Sequence, residues 1–294
     1  MRVLVAGGNG FIGSHVIDHL IMQGHEPVSL DRYGIPHRTD LEFVFGDVRN
    51  KDTVFNTAKR CDAIINLSGI LGTSETIEFP QFAFHSNIVG SVNIFDACKA
   101  MDKKCVQIAV GNYWMNNPYS ISRTAVENIA YQYNRIFKTS ISVVRGLNAY
   151  GERQKDRPVR KIVPNIMVPL IEQRPITIFG DGEQLMDMIY VGDLAKILIA
   201  ALVIDHGVYS SCFEAGCGMN LTPSINQLVA MALDVSNTRT LVHKVPMRGG
   251  EPLRSVVVGN PETLRPLGFT VDDLTPLKAG LEVTYNWYKS NYAA

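Results

Sequence analysis

The sequence predicts an α/β fold, a doubly wound parallel sheet with a smaller α/β lobe in the C-terminal part of the chain. Through the first half, short apolar runs without polar alternation are separated by helix-length amphipathic segments, which is typical of parallel strands buried on both faces. Beyond about residue 148, prolines and glycines interrupt this rhythm. We therefore expect residues 1–164 and 189–217 to form the sheet domain, and residues 165–188 and 218–294 to form the lobe.

The elements of the sheet domain follow from local patterns. The apolar run Arg2–Ala6 predicts the first strand, and the helix after it, at residues 13–22, is expected to stop at Gly24. Further strands are predicted at residues 27–30, 42–45, 63–67, 106–110 and 141–145, and further helices at about 87–100 and from 119 onward. Because strands alternate with helices, the sheet is expected to be parallel.

Composition and charge argue against several classes of protein. The 294 residues contain 28 Lys and Arg against 28 Asp and Glu, so net charge gives no reason to expect nucleic acid or an anionic membrane as a partner. The sequence shows neither a signal-peptide pattern nor an apolar run that could span a bilayer, and we expect a cytoplasmic protein. The histidines lack metal-ligand spacing, and the cysteines, which form no CxxC pair, predict neither disulfides nor a zinc site.

A glycine-rich run, GGNGFIG at residues 7–13, joins the first strand to the first helix. Its glycines tighten the turn, let the backbone approach a pyrophosphate and let the helix pack against the strand. The start of the helix offers free N–H groups and a positive dipole end to phosphates. In this context the run predicts a dinucleotide site, with the contacts expected from Gly7, Gly10, Phe11, Ile12 and Gly13.

The second predicted strand ends at Asp31, where a carboxylate accepts hydrogen bonds from an adenosine ribose. A carboxylate at this point repels a 2′-phosphate, so the sequence favours NAD over NADP. The adjacent Arg32 is able to receive such a phosphate, which keeps NADP as the alternative. Both residues are therefore candidates for contact with the cofactor.

The order of motifs along nearly the whole chain resembles that of the extended short-chain dehydrogenase/reductase family, and in particular its NAD-dependent nucleotide-sugar epimerases and dehydratases. The later motifs are GDV at 46–48, NLSG at 66–69, NIVG at 87–90, RGLNAYG at 145–151, GDGEQ at 180–184 and DMIYV at 187–191. The resemblance implies a Rossmann-type domain that binds NAD and a lobe that binds the substrate. It places the adenine and the rest of the cofactor beside Asp47, Val48, Leu67, Ser68, Gly69 and Asn87.

The family's chemistry uses a tyrosine followed four residues later by a lysine, and Tyr119 and Arg123 occupy these positions. This spacing puts both side chains on one face of a helix, where a cation favours the tyrosinate that removes a proton from a sugar hydroxyl. Arginine keeps the charge but is planar and larger than lysine. The family's serine or threonine is replaced by Gly111, and we expect Asn112 or a water molecule to substitute for it. Gly111 and Tyr119 are only eight positions apart, so a loop that covers the substrate is shortened.

These residues favour an epimerase that acts on a UDP- or dTDP-sugar by transient oxidation of a ring hydroxyl. Dehydratases of the family carry an Asp-Glu pair beside the serine position, and the segment between Ala109 and Tyr119 has none. A nucleotide-sugar reductase, dehydrogenase or dehydratase stays an alternative. A non-catalytic, regulatory NAD-binding protein is the alternative from another class of function. It is motivated by Gly111, by Arg123 and by Met186, which stands where the family has a phosphate-binding arginine.

The resemblance also suggests residues and partners for the substrate side. Asparagines and an arginine hold the diphosphate in related enzymes and an aromatic ring stacks on the base; the matching residues are Asn148, Asn165, Phe179 and Arg248. The helices near 87–100 and 119–137 resemble the pair through which relatives form homodimers. A basic cluster is interpreted as a solvated loop, with the edge of an anionic ligand as the alternative: Arg153, Lys155, Arg157, Arg160 and Lys161.

Overall fold

The computed structural model describes residues 1–34, 36–159, 161–204 and 212–292, so Arg160 of the basic cluster lies outside the described residues. The strands are β1 (Arg2–Ala6), β2 (Glu26–Asp31), β3 (Glu42–Phe45), β4 (Ala63–Asn66), β5 (Lys104–Val110), β6 (Ser140–Gly146), β7 (Asn148–Tyr150), β8 (Ile176–Phe179), β9 (Leu185–Met186), β10 (Met188–Tyr190), β11 (Cys212–Ala215), β12 (Val242–Val245) and β13 (Val256–Val257). The helices are α1 (Phe11–Met22), α2 (Lys51–Ala58), α3 (Pro80–Phe84), α4 (Gly90–Met101), α5 (Pro118–Phe137), α6 (Ile162–Ile171), α7 (Val191–Val203), α8 (Ile225–Ser236) and α9 (Leu277–Tyr292).

The main sheet has seven strands in the order β11-β6-β5-β4-β1-β2-β3, and every neighbouring pair is parallel. The chain runs outward from β1 through β2 and β3 and then crosses to β4, on the other side of β1. The strand order therefore reverses between β1 and β4, and ligands of open parallel sheets bind beside such a reversal, at the carboxyl ends of the strands. The predicted doubly wound parallel sheet is confirmed.

Helices cover both faces of the sheet, as predicted from strands in which apolar residues do not alternate with polar ones. Val3 and Val5 of β1 enter one core, formed with α1 and α7, whereas Leu4 and Ala6 enter a second core with α2, α4 and α5. Successive side chains of a strand point to opposite faces, so a strand buried on both faces has to be apolar throughout.

A third core belongs to the C-terminal lobe. Helices α6, α8 and α9 pack together and α6 contacts β8, with buried side chains that include Ile166, Ile178 and Leu228. Val163 lies in this same core although it precedes residue 165. The whole of α6 thus packs with the lobe, and the predicted domain boundaries stay a prediction.

Helices α1 and α2 differ from what the local patterns predict. Helix α1 begins at Phe11, before Gly13, because the glycine run already turns into the helix at Gly10. Helix α2 was not expected from the sequence, since only Val54, Thr57 and Ala58 of it are buried. Its start is fixed by Asn50, whose side chain accepts a hydrogen bond from Thr53 N at 3.0 Å.

The described ranges contain no helix that is both long and apolar enough to cross a membrane. The same residues include no group of three or more His, Cys, Asp or Glu side chains placed to hold a metal ion. All five cysteines are free thiols. Burial raises the pKa of Cys105 well above its usual range, so the buried thiol is held in its unreactive protonated form.

His15 makes the stability of the sheet domain depend on pH. The side chain lies buried in α1, and its Nε2 hydrogen-bonds to the carbonyl of Glu152 at 2.9 Å. Burial lowers the pKa of His15 from 6.5 to about 4, and the positive charge of Arg153 acts in the same direction. The unfolded chain therefore binds more protons than the folded chain between these two values, and stability falls as the pH decreases through this window.

We expect the free energy of unfolding to decrease from pH 6.5 to about pH 4, with His15 contributing a slope of up to about 1.4 kcal/mol per pH unit. Urea unfolding of the protein and of His15→Gln at several pH values measures this contribution. The variant should show a shallower slope, whereas His85→Gln, at an exposed position, should not. Equal slopes for His15→Gln and the unaltered protein would contradict the assignment.

Candidate active site

The glycine run forms a tight loop between β1 and α1. Gly7 has φ +80°, and its carbonyl accepts a hydrogen bond from Gly10 N at 3.1 Å. A Cβ at Gly13 would lie 2.2 Å from this carbonyl oxygen, so α1 approaches the loop as closely as glycine permits. Gly10 has no side chain to cap the helix, which leaves the first N–H groups of α1, at Phe11 and Ile12, available to a phosphate.

Asp31 ends β2 beside this loop and orients towards it. Its carboxylate accepts hydrogen bonds from Asn9 N and Tyr33 N, both at 3.2 Å. Arg32 turns away from this carboxylate: its guanidinium pairs with Asp47 at 3.2 Å and lies over the Tyr33 ring. An arginine already paired with a carboxylate is a weaker receptor for a 2′-phosphate, which supports the prediction of NAD over NADP.

Asp47 follows β3 and faces a surface groove. Burial raises the pKa of its carboxyl, but hydrogen bonds from the side chain and N–H of Arg49 outweigh it and bring the pKa to about 2. The groove beside Asp47 is lined by Arg49, Asn50, His85 and Val89. Val48 is buried and packs against Gly90, where a Cβ would lie 2.6 Å from its side chain. Asp47 thus lies at the open surface, whereas Val48 packs against α4 at Gly90.

The loop after β4 completes the crevice at the reversal of strand order. A Cβ at Gly7 would lie 3.0 Å from Leu67 C and Ser68 N, so the glycine run and this loop are in contact. Ser68 is fixed by Asn66, whose side-chain oxygen accepts hydrogen bonds from Ser68 N and Oγ. The crevice between β1 and β4 therefore has a rigid floor made of backbone.

Asn87 holds this loop to α5. Its side-chain oxygen accepts a hydrogen bond from Ile70 N at 2.7 Å, and its Nδ2 donates to Ser122 Oγ of α5 at 2.9 Å. The side chain is 0% exposed and lies in the π-helical turn His85–Val89. Asn87 is thus placed to hold the loop after β4 against α5. Its predicted contact with the cofactor stays a prediction.

Tyr119 and Arg123 lie on one face of the first turns of α5. The helix start is defined by Pro118 at the first position and by Asn117, which accepts a hydrogen bond from Ser120 N at 2.9 Å. The Arg123 Cζ atom is 5.9 Å from the centre of the Tyr119 ring. Burial raises the pKa of the Tyr119 phenol, and the positive charge of Arg123 opposes this rise. The pair predicted from spacing is thus in contact.

The surroundings of Arg123 fit a cofactor that offers hydrogen-bond acceptors. The residue is 2% exposed, and within the part of the chain that the structure describes its Nε and Nη1 atoms have no hydrogen-bond partner. A Cβ at Gly69 would lie 2.2 Å from Nη2, so the guanidinium reaches the loop that closes the crevice. Buried donors without partners are costly, and ribose hydroxyls of a dinucleotide would satisfy them.

In the short segment after β5, Gly111 lies against the side chain of Leu147. A Cβ at Gly111 would lie 2.2 Å from Leu147 Cδ1, so a side chain at this position would require Leu147 to shift. The Asn112 Nδ2 atom donates to Met115 Sδ at 3.4 Å, and its predicted role as the serine substitute stays a prediction. The neighbouring Tyr113 ring is stacked under Arg145, whose Cζ is 4.0 Å from the ring centre.

Arg145 of β6, which contacts this segment through Tyr113, also forms a buried ion pair with Glu127 of α5. Two of its nitrogens bond to the Glu127 carboxylate, at 3.0 and 2.6 Å, and a third bonds to Glu214 at 2.7 Å. The side chains of Arg145 and Glu127 are only 15% and 5% exposed. Removing one partner of such a pair leaves a buried charge uncompensated.

We expect Glu127→Ala to lower the free energy of unfolding by about 3 kcal/mol, the low end for a broken buried pair because Glu214 remains. Glu262→Ala is the matched control, since its ion pair with Arg265 is exposed and should contribute less than about 1 kcal/mol. Chemical unfolding of both variants measures the difference. An equal, small effect at the two positions would show that the pair with Arg145 adds no stability.

The predicted substrate residues fall into two groups. The Asn148 Nδ2 atom donates to the carbonyl of Asp187 at 2.9 Å, and the Asn165 Nδ2 atom donates to the carbonyl of Thr177 at 2.8 Å. Both asparagines therefore tie elements of the lobe together, and their contact with a diphosphate stays a prediction. In contrast, Phe179 and Arg248 are brought together, with Arg248 Cζ 5.0 Å from the centre of the ring.

Arg248 lies in a charged cluster that the sequence did not reveal. Its guanidinium pairs with Glu251 at 2.6 Å and lies 3.9 Å from Glu75. Glu251 also accepts a hydrogen bond from Thr73 Oγ1 at 2.5 Å, so the loop after β4 contacts the loop of the lobe. A phosphate would have to compete with both carboxylates for Arg248.

Lys161 was interpreted as part of a solvated loop, and the structure places it elsewhere. Its ammonium lies 5.8 Å from the centre of the Tyr119 ring, and burial lowers its pKa. By contrast Arg153 pairs with Asp18 of α1 at 2.8 Å, and Lys155 is exposed. The only signal in the sequence was the charge itself, since nothing local shows that residue 161 reaches Tyr119.

The crevice at the strand reversal, the glycine loop, Asp31 and the Tyr119–Arg123 pair together define a dinucleotide-binding protein of the short-chain dehydrogenase/reductase type. The model of one protein family, described as the NAD dependent epimerase/dehydratase family, matches residues 3–210. This chain belongs to that family. Its members are NAD-dependent enzymes, which agrees with the cofactor expected from Asp31.

Individual relatives support the same family. A bifunctional UDP-glucose 4-epimerase and UDP-xylose 4-epimerase of Pisum sativum is 25% identical, with 99% of this chain and 96% of that protein covered. UDP-glucuronic acid decarboxylase 1 of Arabidopsis thaliana is 26% identical over 70% of this chain and 53% of its own length. The solved structure of a Thermus thermophilus UDP-glucose 4-epimerase with NAD is 23% identical, has a TM-score of 0.87 and covers 98% of this chain and 99% of its own. This last likeness establishes the fold.

Proposed function

We propose that this chain is an NAD-dependent epimerase of a UDP- or dTDP-sugar that oxidises a ring hydroxyl transiently. The observation that carries the proposal is the contact of Tyr119 with Arg123, whose guanidinium reaches Gly69 in the loop after β4. Bound NAD would accept a hydride from the sugar carbon and return it. The residues of the chain would bind, orient and move the proton.

Tyr119 is the proton acceptor and donor in this mechanism. As phenolate it takes the proton of the sugar hydroxyl while the carbon loses its hydride, which leaves a ketone. Tyr119 would then return the proton to the oxygen as the ketone is reduced from its opposite face, which would give the epimer. Arg123 favours the phenolate by its charge, and its unpartnered Nε and Nη1 atoms are suited to the hydroxyls of the cofactor.

The segment before Tyr119 favours epimerisation over dehydration. Residues 111–118 read GNYWMNNP and contain no carboxylate, so an Asp-Glu pair for eliminating water is not available there. The relatives include 4-epimerases that match over nearly the whole chain and decarboxylases that match over about 70% of it. A decarboxylase of a UDP-uronate is therefore the second candidate function.

The lobe supplies the groups that would hold the nucleotide. The Phe179 ring, with Arg248 beside it, is suited to a pyrimidine base and the adjoining phosphate. Asn148 of β7 and Asn165 of α6 are assigned to the diphosphate by the resemblance to related enzymes. Arg248 would have to exchange one of its carboxylate partners for phosphate oxygens on binding.

Proton NMR of UDP- and dTDP-sugars, including UDP-uronates, incubated with the protein and trace NAD tests the proposal. New anomeric signals without accumulation of NADH are expected. Net conversion of NAD to NADH would indicate a dehydrogenase instead, and release of CO₂ from a uronate would indicate a decarboxylase. A silent panel with NAD still bound would overturn the enzyme proposal in favour of a regulatory NAD-binding protein.

We also propose that the chain works as a cytoplasmic homodimer formed through α4 and α5. Ile136 and Phe137 at the end of α5 are 51% and 42% exposed, which is unusual for two large apolar neighbours at a helix end. Light scattering at micromolar concentration should give twice the 32.5 kDa mass of the chain. A mass equal to that of one chain would contradict the dimer.

A further inference from the structure

Two cations from different parts of the chain flank the ring of Tyr119. Arg123 approaches from one turn further along α5, with its Cζ atom 5.9 Å from the ring centre. Lys161 approaches from the lobe, with its Nζ atom 5.8 Å from the same point. Since Lys161 immediately precedes α6 and serves as its N-cap residue, its backbone is fixed by the packing of that helix in the lobe core.

The ammonium of Lys161 forms no close ion pair within the described part of the chain. Among the residues that the structure describes, no carboxylate lies within 4.0 Å of its Nζ atom. The charged groups that face it are Glu75, Glu251 and Arg248, and both glutamates are directed to Arg248. Burial lowers the pKa of Lys161. A half-buried ammonium without a close carboxylate gains from a new negative charge nearby, and the ring of Tyr119 has its centre 5.8 Å from Nζ.

We propose that Lys161 is a second positioning residue for Tyr119. The ammonium of Lys161 stabilises the Tyr119 phenolate from the side of the lobe and shares this role with Arg123. An opposite charge within about 6 Å favours the charged form of an acid, and the negative charge of a phenolate is partly delocalised over its ring. The proposal rests on the proposed function, because it assumes that Tyr119 is the residue that accepts the proton.

The chemistry of the two cations suits them to different roles, one towards the cofactor and one towards the phenolate. A planar guanidinium at position 123 offers donors in a fixed fork, which suits the hydroxyls of the cofactor. A compact ammonium on a flexible stem, as in Lys161, adjusts its position to a point charge. Arg123 would therefore serve both the cofactor and the phenolate, and Lys161 would add a second positive charge from another element.

Ionisation of Tyr119 can be measured without any substrate. Ultraviolet absorbance of tyrosinate is recorded against pH for the full-length protein with NAD bound, and the same titration of Tyr119→Phe is subtracted. We expect Lys161→Met to raise the apparent pKa of Tyr119 by about 1 unit, and Lys161→Arg to restore most of the shift. Lys155→Met is the matched control, because Lys155 is an exposed lysine of the same connection, and it should leave the titration unchanged.

Turnover gives an independent reading once a substrate is known. Lys161→Met should lower kcat about tenfold at neutral pH, with recovery as the pH rises, because about 1 unit of pKa corresponds to tenfold less phenolate. Lys161→Gln provides a second neutral variant if the methionine variant does not fold. An unchanged titration for both neutral variants would overturn the role of Lys161. A shifted titration would support it even if no sugar is turned over, in which case the epimerase proposal alone fails.

Discussion

Tyr119→Phe should reduce turnover about 10²–10⁴-fold, the usual contribution of a positioned general base. The phenolic oxygen is the only proton-transferring atom that the change removes, and the ring is kept between Arg123 and Lys161. Binding of NAD should persist, because Gly7 and Asp31 are unaffected. Steady-state kinetics on the sugar identified by NMR, together with titration of NAD, measures both effects.

Tyr285→Phe is the matched control for this experiment, since Tyr285 is a tyrosine of α9 that packs against the lobe core. It should keep full turnover. If Tyr119→Phe also kept full turnover, Tyr119 would not be the base and the mechanism would be wrong. If both variants lost activity and also melted at lower temperature, the loss would reflect folding, so the melting temperature is measured alongside.

Gly13→Ala should weaken the binding of NAD. The added Cβ would lie 2.2 Å from the carbonyl oxygen of Gly7 and 2.7 Å from Gly8 Cα, and both are backbone atoms that cannot rotate away. The glycine loop would have to move from the start of α1, where the phosphates are expected. We expect a loss of affinity of at least about tenfold, or about 1.4 kcal/mol, and a loss of stability of about 1–3 kcal/mol.

Isothermal titration of NAD and chemical unfolding measure these two losses. Gly10→Ala should have a smaller effect, because its Cβ would lie 3.1 Å from Gly7 O. Gly249→Ala, where the Cβ would make an ordinary 3.8 Å contact with Ile77, should leave NAD binding unchanged. Undiminished binding in Gly13→Ala would show that the glycine loop does not hold the cofactor.

Much of the sheet domain was predictable because its signals are local. The apolar run of β1, the glycines that follow it and Asp31 at the end of β2 lie in one continuous stretch, and their meaning does not depend on distant residues. The Tyr119–Arg123 pair was expected from its match to the family's motif, and the contact follows because one helical turn separates the two residues. Helix α2 was missed because its polar sequence buries little, so that its apolar pattern was too short to show.

The partners of charged residues could not be predicted, because they are contributed by distant parts of the chain. The sequence raises the question whether Arg32 would receive a phosphate, and only the structure shows that it pairs with Asp47. In the same way, Arg248 was identified as a phosphate ligand, whereas packing of the two loops gives it Glu75 and Glu251 as partners. A long charged side chain has no fixed direction in sequence, and its partner is chosen by what the fold brings within reach.

The sequence by itself determined the parallel sheet, the glycine loop at its edge, the Tyr119–Arg123 pair and the absence of a carboxylate between Gly111 and Tyr119. These features depend on backbone conformation and on helical or strand periodicity, which neighbouring residues set. Only the tertiary structure decided that Gly111 packs against Leu147 and that Lys161 reaches Tyr119. Such contacts depend on how α5, α6 and the ends of the strands pack on one another, and no local pattern encodes that packing.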